Sequence, residues 1–156
     1  MRIAAIDPGM KGGIATHSGH IVGAFAMPTA GKEIDCVAIA NFLIGFQPDW
    51  LVIEKVGAMP KQGVSSTFKF GKGYGSLFGI AAALHIPVEL VTPQRWKSKV
   101  LHGTKKDKDA AIAYCRRAFP EVSLIPPRCR TEHDGIADAL CLVEYGRREL
   151  PAKEAA

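Results

Sequence analysis

The sequence lacks any apolar stretch of the length that a membrane-spanning helix needs, which is roughly 18 to 20 residues. Its first residues, Met1 to Asp7, bring an acidic side chain into the region that a signal peptide keeps apolar. Closely spaced cysteines are also missing: the four cysteines contain no C-x-x-C pair, so zinc-ribbon or dithiol redox chemistry has no support. We expect a cytoplasmic protein without a membrane partner, with reduced thiols at Cys36, Cys115, Cys129 and Cys141.

A phosphate-binding glycine motif is absent as well. The glycines Gly9, Gly12 and Gly13 are not followed by the Lys-Ser/Thr pair of a P-loop, and their spacing differs from that of a Rossmann loop. We therefore expect no nucleotide cofactor.

The length and composition are those of one globular domain. The chain has 156 residues, of which 47% are hydrophobic and 22% charged, which argues against wholesale disorder. This length allows a core that needs no disulfide or metal staples. We expect a single domain over residues 1–150 and a frayed tail over 151–156.

Acidic residues are scarce in the middle of the chain. Between residues 55 and 106 the only acid is Glu89, whereas the whole chain carries a net charge of +5. The bases of this stretch are Lys55, Lys61, Lys69, Lys72, Arg95, Lys97, Lys99, Lys105 and Lys106. Segregated positive charge indicates a polyanionic partner such as nucleic acid, and the alternative is an ordinary solvated basic surface.

The order of apolar patterns predicts an α/β fold. Strands are expected at 2–7, 12–16, 20–27, 50–54 and 88–91, the first three antiparallel and the rest parallel. Helices are expected at 35–46, 74–85, 93–101, 105–119 and 132–147. Segments 28–32 and 57–73 are predicted as loops, the second being the best candidate for a mobile segment. The fold class is a five-stranded mixed sheet flanked by helices.

Two acidic residues end buried strands. Asp7 follows Ile3–Ile6, and Glu54 follows Leu51–Ile53. Parallel neighbouring strands would place both carboxylates at the carboxyl edge of the sheet, where open α/β sheets carry their sites. The competing interpretation is structural, with Asp7 capping the Pro8-Gly9 turn and Glu54 leaving the sheet edge.

Two more acids share one face of the last helix, because Asp134 and Asp138 are four residues apart. Asp134 has a structural explanation, since Thr131 and Asp134 resemble a helix capping box. Asp138 lies among small apolar residues, which would let the helix approach the strand ends closely. Four carboxylates with a basic surface favour Mg²⁺, with Mn²⁺ as a substitute, and two-ion phosphodiester hydrolysis.

These residues together resemble RuvC-type Holliday junction resolvases of the RNase H-like superfamily. The resemblance rests on Ile6-Asp7-Pro8-Gly9, on Ile53-Glu54 and on the segment 134–140, and it covers nearly the whole chain, to about Arg148. The details are most similar to the compact resolvases of phages and some bacteria. The resemblance implies an RNase H-like fold and a homodimeric, Mg²⁺-dependent endonuclease that cuts four-way DNA junctions symmetrically.

The resemblance also assigns roles to residues. It implies that Asp7, Glu54 and Asp138 are catalytic metal ligands. In the family, a fourth acid lies three residues before the last one, and the residue at that position here is Gly135. Either Asp134 or His133 would then complete the metal site. The lysines implied to contact DNA are Lys97 and Lys108, with Lys108 near the scissile phosphate, and Lys105 and Lys106 lie in the same basic run.

Further DNA contacts are implied in the segment after Glu54, where the family carries an aromatic residue that stacks at the junction centre. The candidates here are Phe68 and Phe70, between which the sequence does not choose, together with Lys69 and Lys72. One of the two rings is expected to pack in the core instead. The helices at 74–85 and 105–119 are the candidate dimer faces.

Two alternatives stay open. RNase H-like sheets also serve nucleases that act on other branched DNA, on RNA–DNA hybrids or on structured RNA. The second alternative is a junction-binding protein without catalysis.

Overall fold

The computed structural model describes residues 1–57, 63–103 and 109–152. Its strands are β1 (Arg2–Asp7), β2 (Gly13–Ser18), β3 (Ile21–Ala26), β4 (Thr29–Ala30), β5 (Glu33–Ile34), β6 (Trp50–Glu54) and β7 (Val88–Val91). Its helices are α1 (Cys36–Phe46), α2 (Val64–Ala83), α3 (Pro93–Val100), α4 (Ala110–Ala118) and α5 (Asp134–Glu149). None of the helices in these ranges is long and apolar enough to cross a membrane.

The main sheet has five strands in the order β3-β2-β1-β6-β7. The pairs β1–β2 and β2–β3 are antiparallel, whereas β1–β6 and β6–β7 are parallel. This is the mixed sheet that the sequence pattern predicts. The predicted loop over 28–32 instead contains β4, which pairs with β5 just after it in a small hairpin.

Alternate residues of the central strands pack into two separate cores. Ile3 and Ala5 of β1 contact one core together with residues of α3, α4 and α5. Ala4 and Ile6 contact the other core, to which α1 and α2 contribute. Both faces of the sheet are therefore covered by helices, as the continuous apolar runs of β1 and β6 indicate.

The prediction of a loop and mobile segment over 57–73 is wrong for residues 64–73, which form the first half of α2. Its glycines and serines disfavour a helix, but tertiary packing outweighs this propensity. One stripe of α2 carries Tyr74, Leu77, Phe78 and Ala81 into the core beside α1. Residues 58–62 lie outside the described residues.

The last two helices differ from expectation at their starts. Within the predicted helix 105–119, α4 begins at Ala110 with Asp109 as its cap, and residues 104–108 lie outside the described residues. Thr131 was predicted to cap the last helix, but the cap is His133, whose Nδ1 accepts the N–H of Ile136 at 3.3 Å. The proposed capping box of Thr131 and Asp134 is therefore wrong, and Asp134 is the first residue of α5.

The start of α3 and the C-terminal segment can also be compared with the prediction. The helix α3 begins at Pro93, as the predicted range 93–101 has it, and Thr92 is its cap. Of the expected tail, residues 153–156 lie outside the described residues, and the carbonyl oxygen of Pro151 accepts the indole N–H of Trp50 at 3.2 Å.

Candidate active site

Asp7 and Glu54 end adjacent parallel strands. Ile6 is paired with Ile53, so Asp7 and Glu54 are the next residues of β1 and β6, which lie roughly 4.8 Å apart. Side chains alternate along a strand, and Ala5 and Val52 point into the core beneath α5. Asp7 and Glu54 therefore point to the same face of the sheet, the one that α5 covers.

Asp138 reaches this edge from α5. The helix is buried from Gly135 to Gly146 with Asp138 as the sole exception, and Ala137 and Ala139 on either side of it are fully buried. The small neighbours let α5 lie close to the sheet. The carboxylate of Asp138 is thus the one polar group in this stretch that remains partly open.

The three carboxylates interact electrostatically. The pKa of Asp7 is raised from its ordinary 3.8 to about 8: burial is the largest cause, and the charges of Glu54 and Asp138 act in the same direction. Burial also raises the pKa of Asp138 to about 6, with contributions from Glu54 and Asp134. Lys97 opposes both shifts. Like charges are therefore gathered at this edge at a cost that a bound cation would offset.

The donor set fits a hard divalent cation, because carboxylate oxygens are the ligands that Mg²⁺ and Mn²⁺ prefer. Among the described residues, no three acidic, histidine or cysteine side chains already stand in a geometry that would hold a metal ion. The fit therefore rests on the chemistry of the donors and on their mutual repulsion. The side chains would have to rearrange to hold an ion.

The fourth acid differs from the other three in its surroundings. Asp134 is exposed at the start of α5, and its charge contributes to the raised pKa of Asp138. Position 135 cannot supply a carboxylate, because a Cβ on Gly135 would lie 2.4 Å from the carbonyl oxygen of Lys11. His133 uses its Nδ1 in the helix cap. Whether Asp134 or His133 completes a metal site stays a prediction.

The candidate lysines fall into three groups. Lys97 on α3 is exposed and lies near enough to lower the pKa of Asp7 and of Asp138. Lys69 and Lys72 are exposed on α2, where Lys72 forms an ion pair of 2.6 Å with Glu33. Lys105, Lys106 and Lys108 lie outside the described residues, so their roles stay predictions.

The two candidate aromatic residues have different environments. Phe70 is partly buried: its ring stacks on Tyr74 with a centroid distance of 6.0 Å. The ring also packs closely on Gly9, because a Cβ added at Gly9 would lie 3.3 Å from it. The φ of Gly9 is +109°, which also favours glycine at this position. Phe68 is 73% exposed. Phe70 is therefore the ring that packs, and Phe68 is the ring available to a ligand.

A cavity of about 280 Å³ lies beside the stacked rings of Phe70 and Tyr74. Its walls include Gly9, Phe70 and Tyr74, and three lysines line it: Lys32, Lys69 and Lys72. Tyr74 also donates its hydroxyl to the backbone oxygen of Glu54 at 3.3 Å. This bond ties α2 to the backbone at the end of β6, although the Glu54 side chain points to the opposite face of the sheet.

Sequence reasoning missed Trp96. This residue of α3 is fully buried, and its indole N–H donates to Oε1 of Glu54 at 2.8 Å. A signal was present, because Trp96 directly precedes Lys97 on the helix that follows β7. The carboxyl end of β7 lies beside Glu54, which is paired with Val91.

Comparison with known proteins gives consistent relatives, although no family model matches the chain. The crossover junction endodeoxyribonuclease RuvC of Myxococcus xanthus is 29% identical over an alignment of 168 positions, gaps included, which spans 99% of this chain and 86% of the relative. The structure of Thermus thermophilus RuvC in complex with a Holliday junction substrate has a TM-score of 0.62 at 18% identity and covers 98% of this chain and 99% of that one.

A viral protein has the same fold. The fowlpox virus resolvase, solved with Holliday junction DNA, has a TM-score of 0.56 at 18% identity, with 95% of this chain and 99% of that one covered. The expected resemblance to RuvC-type proteins and the expected RNase H-like fold are confirmed.

Proposed function

We propose that this chain is a RuvC-type Holliday junction resolvase, an endonuclease that depends on divalent metal ions and cuts four-way DNA junctions. The observation that carries the proposal is the meeting of Asp7, Glu54 and Asp138 at one sheet edge of a RuvC-like fold. The sequence likeness to a junction endonuclease supports the same conclusion. A cytoplasmic location belongs to this proposal, because the DNA substrate is found there.

The carboxylates would hold the metal. We assign Asp7, Glu54 and Asp138 as ligands and Asp134 as the candidate fourth, with Mg²⁺ as the ion and Mn²⁺ as a substitute. Two such ions, when bound, activate water and stabilise the leaving oxygen in phosphodiester hydrolysis. Asp7 and Asp138 are partly buried, and this partial burial strengthens their attraction for a cation.

The surrounding side chains would bind DNA. Lys97 places positive charge beside the carboxylates, where a phosphate of the scissile strand would lie. Phe68, Lys69 and Lys72 form an exposed surface on α2, and stacking on Phe68 would recognise the shape of an open junction rather than its sequence. Phe70 would support this surface from below. Lys105, Lys106 and Lys108 complete the proposed DNA contacts, with Lys108 at the scissile phosphate.

Symmetric cleavage requires two sites related by a two-fold axis, so we propose a homodimer. Of the two candidate helices, α2 fits better. Its outer side carries Gly71, Gly75 and Gly79 at four-residue spacing, and a Cβ added at any of them would meet open space. The outer side of α4 instead carries Arg116 and Arg117, which are exposed charges. Two α2 helices could therefore approach each other closely.

The direct test uses a labelled, immobile four-way junction with and without Mg²⁺, with the cuts mapped on all four strands. We expect paired, symmetric nicks that require the metal. The Asp7→Asn variant should bind the junction in the absence of metal as the wild type does and should not nick it. Normal nicking by this variant would contradict the mechanism.

A substrate panel separates the alternatives. Flaps, forks, an RNA–DNA hybrid and a structured RNA are offered beside the junction under the same conditions. Preferred cleavage of one of these would assign a different RNase H-like nuclease activity. Tight junction binding with no nicking under Mg²⁺ or Mn²⁺ would indicate a binding protein instead.

A further inference from the structure

Trp96 lies in the core, yet its single polar group is directed at the carboxylate edge. The ring is fully buried among residues of β7, α3 and α5. Indole has one hydrogen-bond donor and no acceptor, and a buried donor requires a partner. That partner is Oε1 of Glu54, at 2.8 Å.

The same indole also contacts the positive group of the site. The ammonium of Lys97 lies 5.1 Å from the centroid of the Trp96 ring, in the range of a cation–π interaction. Lys97 is the group that lowers the pKa of Asp7 and of Asp138. One buried side chain therefore contacts both a carboxylate and the lysine that faces the other carboxylates.

A carboxylate at the end of a glutamate side chain rotates easily, because its terminal torsion has only a broad preference. A hydrogen bond from a rigid neighbour restricts this rotation. Trp96 is such a neighbour, since its ring is fully buried and packs in the core. Removal of such a hydrogen bond to a metal-binding side chain commonly lowers metal affinity by roughly 10- to 100-fold.

We propose that Trp96 is a positioning residue that orients Glu54 for metal binding. Its N–H bonds to Oε1, which would leave Oε2 free to bind the cation. The inference rests on the proposed function, in which Glu54 is a metal ligand. It adds a group outside the carboxylates on which their affinity for metal depends.

The chain provides a matched control in its second tryptophan. Trp50 is the first residue of β6 and Glu54 is the last. Because the Trp96 indole bonds to Glu54, the two indoles lie near opposite ends of this strand. The indole N–H of Trp50 donates to the backbone oxygen of Pro151 at 3.2 Å, away from the carboxylates. Replacing either tryptophan with phenylalanine removes one indole N–H and keeps an aromatic ring.

The first experiment compares Trp96→Phe with Trp50→Phe in the full-length protein. Mg²⁺ binding is measured by calorimetry without DNA, junction affinity is measured in EDTA, and single-turnover nicking is measured against Mg²⁺ concentration. We expect Trp96→Phe to bind Mg²⁺ about 10- to 100-fold more weakly. Its nicking should recover at higher Mg²⁺, with junction affinity unchanged, and Trp50→Phe should resemble the wild type in all three measurements.

The inference is overturned if Trp96→Phe binds Mg²⁺ as the wild type does. A merely structural role would lower the melting temperature without shifting the Mg²⁺ dependence, so melting is recorded for both variants. A wild type that binds Mg²⁺ but never nicks would refute the proposed function and leave the role of Trp96 intact. Nicking with an unshifted Mg²⁺ dependence in Trp96→Phe would refute the role of Trp96 and leave the proposed function intact.

A second measurement leaves Trp96 in place, so it does not depend on the folding of Trp96→Phe. In the Trp50→Phe protein Trp96 is the only tryptophan, and its fluorescence reports on the indole directly. We expect Mg²⁺ to shift its emission at the same concentration at which calorimetry shows binding. Emission that stays constant while Mg²⁺ binds would overturn the inference.

Discussion

Gly135, at the start of α5, lies against the backbone of Gly13, at the start of β2, and of the two residues before it. A Cβ added at Gly13 would lie 2.5 Å from the carbonyl oxygen of Gly135, and a Cβ added at Gly135 would lie 2.4 Å from that of Lys11. This contact brings the first turn of α5 onto the sheet and places Asp138 one turn later near the strand ends. It also explains the glycine at the position where the resembling family carries an acid.

The substitution Gly135→Ala tests this contact. We expect it to lower the free energy of unfolding by roughly 1–3 kcal/mol or more, because neither backbone can move aside without displacing the helix. Chemical denaturation measures the change. Gly45→Ala on α1 is the control: its Cβ would meet open space, and the substitution should stabilise the protein by roughly 0.5–1 kcal/mol. Equal effects of the two substitutions would contradict the contact.

The raised pKa of Asp7 predicts how the metal-free protein responds to pH. The carboxyl binds its proton more tightly in the folded state, with a pKa of about 8 against the ordinary 3.8. Its contribution to stability is therefore complete below about pH 4 and is lost as pH rises towards 8. Asp7→Asn removes this loss, so its melting temperature in EDTA should exceed that of the wild type increasingly across this window.

Glu144 supplies a comparison of opposite sign. This buried carboxylate bonds to Arg147 and Arg148, and these partners hold its pKa below the ordinary 4.5 against the effect of burial. Its contribution to stability is present above that value and is lost as pH falls. Glu144→Gln should therefore be destabilised most at neutral pH.

The same melting series tests Asp7. A pH-independent difference in melting temperature between Asp7→Asn and wild type would refute the interpretation of Asp7.

Phe68 and Phe70 should respond differently to truncation. Phe68→Ala removes an exposed ring, so we expect unchanged melting and a loss of junction affinity of roughly 1–3 kcal/mol from lost stacking. Phe70→Ala removes a ring that packs on Tyr74 and over Gly9 and should lower the melting temperature. Binding and melting are measured on both variants. Normal junction affinity and nicking in Phe68→Ala would remove Phe68 from the DNA surface.

The dimer surface is tested by filling the open side of α2. Gly75→Leu places a large side chain where close helix packing is proposed, and we expect a monomer by light scattering. Gly45→Leu on α1 also points into open space and should leave the dimer intact. A dimer that persists in Gly75→Leu would place the interface elsewhere.

Local patterns in the sequence were sufficient to predict the sheet, the acids Asp7 and Glu54 at its strand ends, and Asp138 on the last helix. Short apolar runs that end at Asp7 and Glu54, and small residues around Asp138, predicted both the strands and the edge at which they meet. These features can be read locally because a strand end and a helix face depend on residues near in sequence. The helical nature of 64–73 could not be read locally, since packing against α1 outweighs its glycines.

The surroundings of the acids were decided by tertiary structure. Nothing in the local sequence pairs Trp96 with Glu54, 42 positions away, or sets Gly135 against Gly13. Such contacts arise only when separate elements pack, because each depends on the distance and angle between a helix and the sheet. Sequence by itself determined which groups can ionise and which strands end in acids, and the packing of α3 and α5 against the sheet decided how those groups are held.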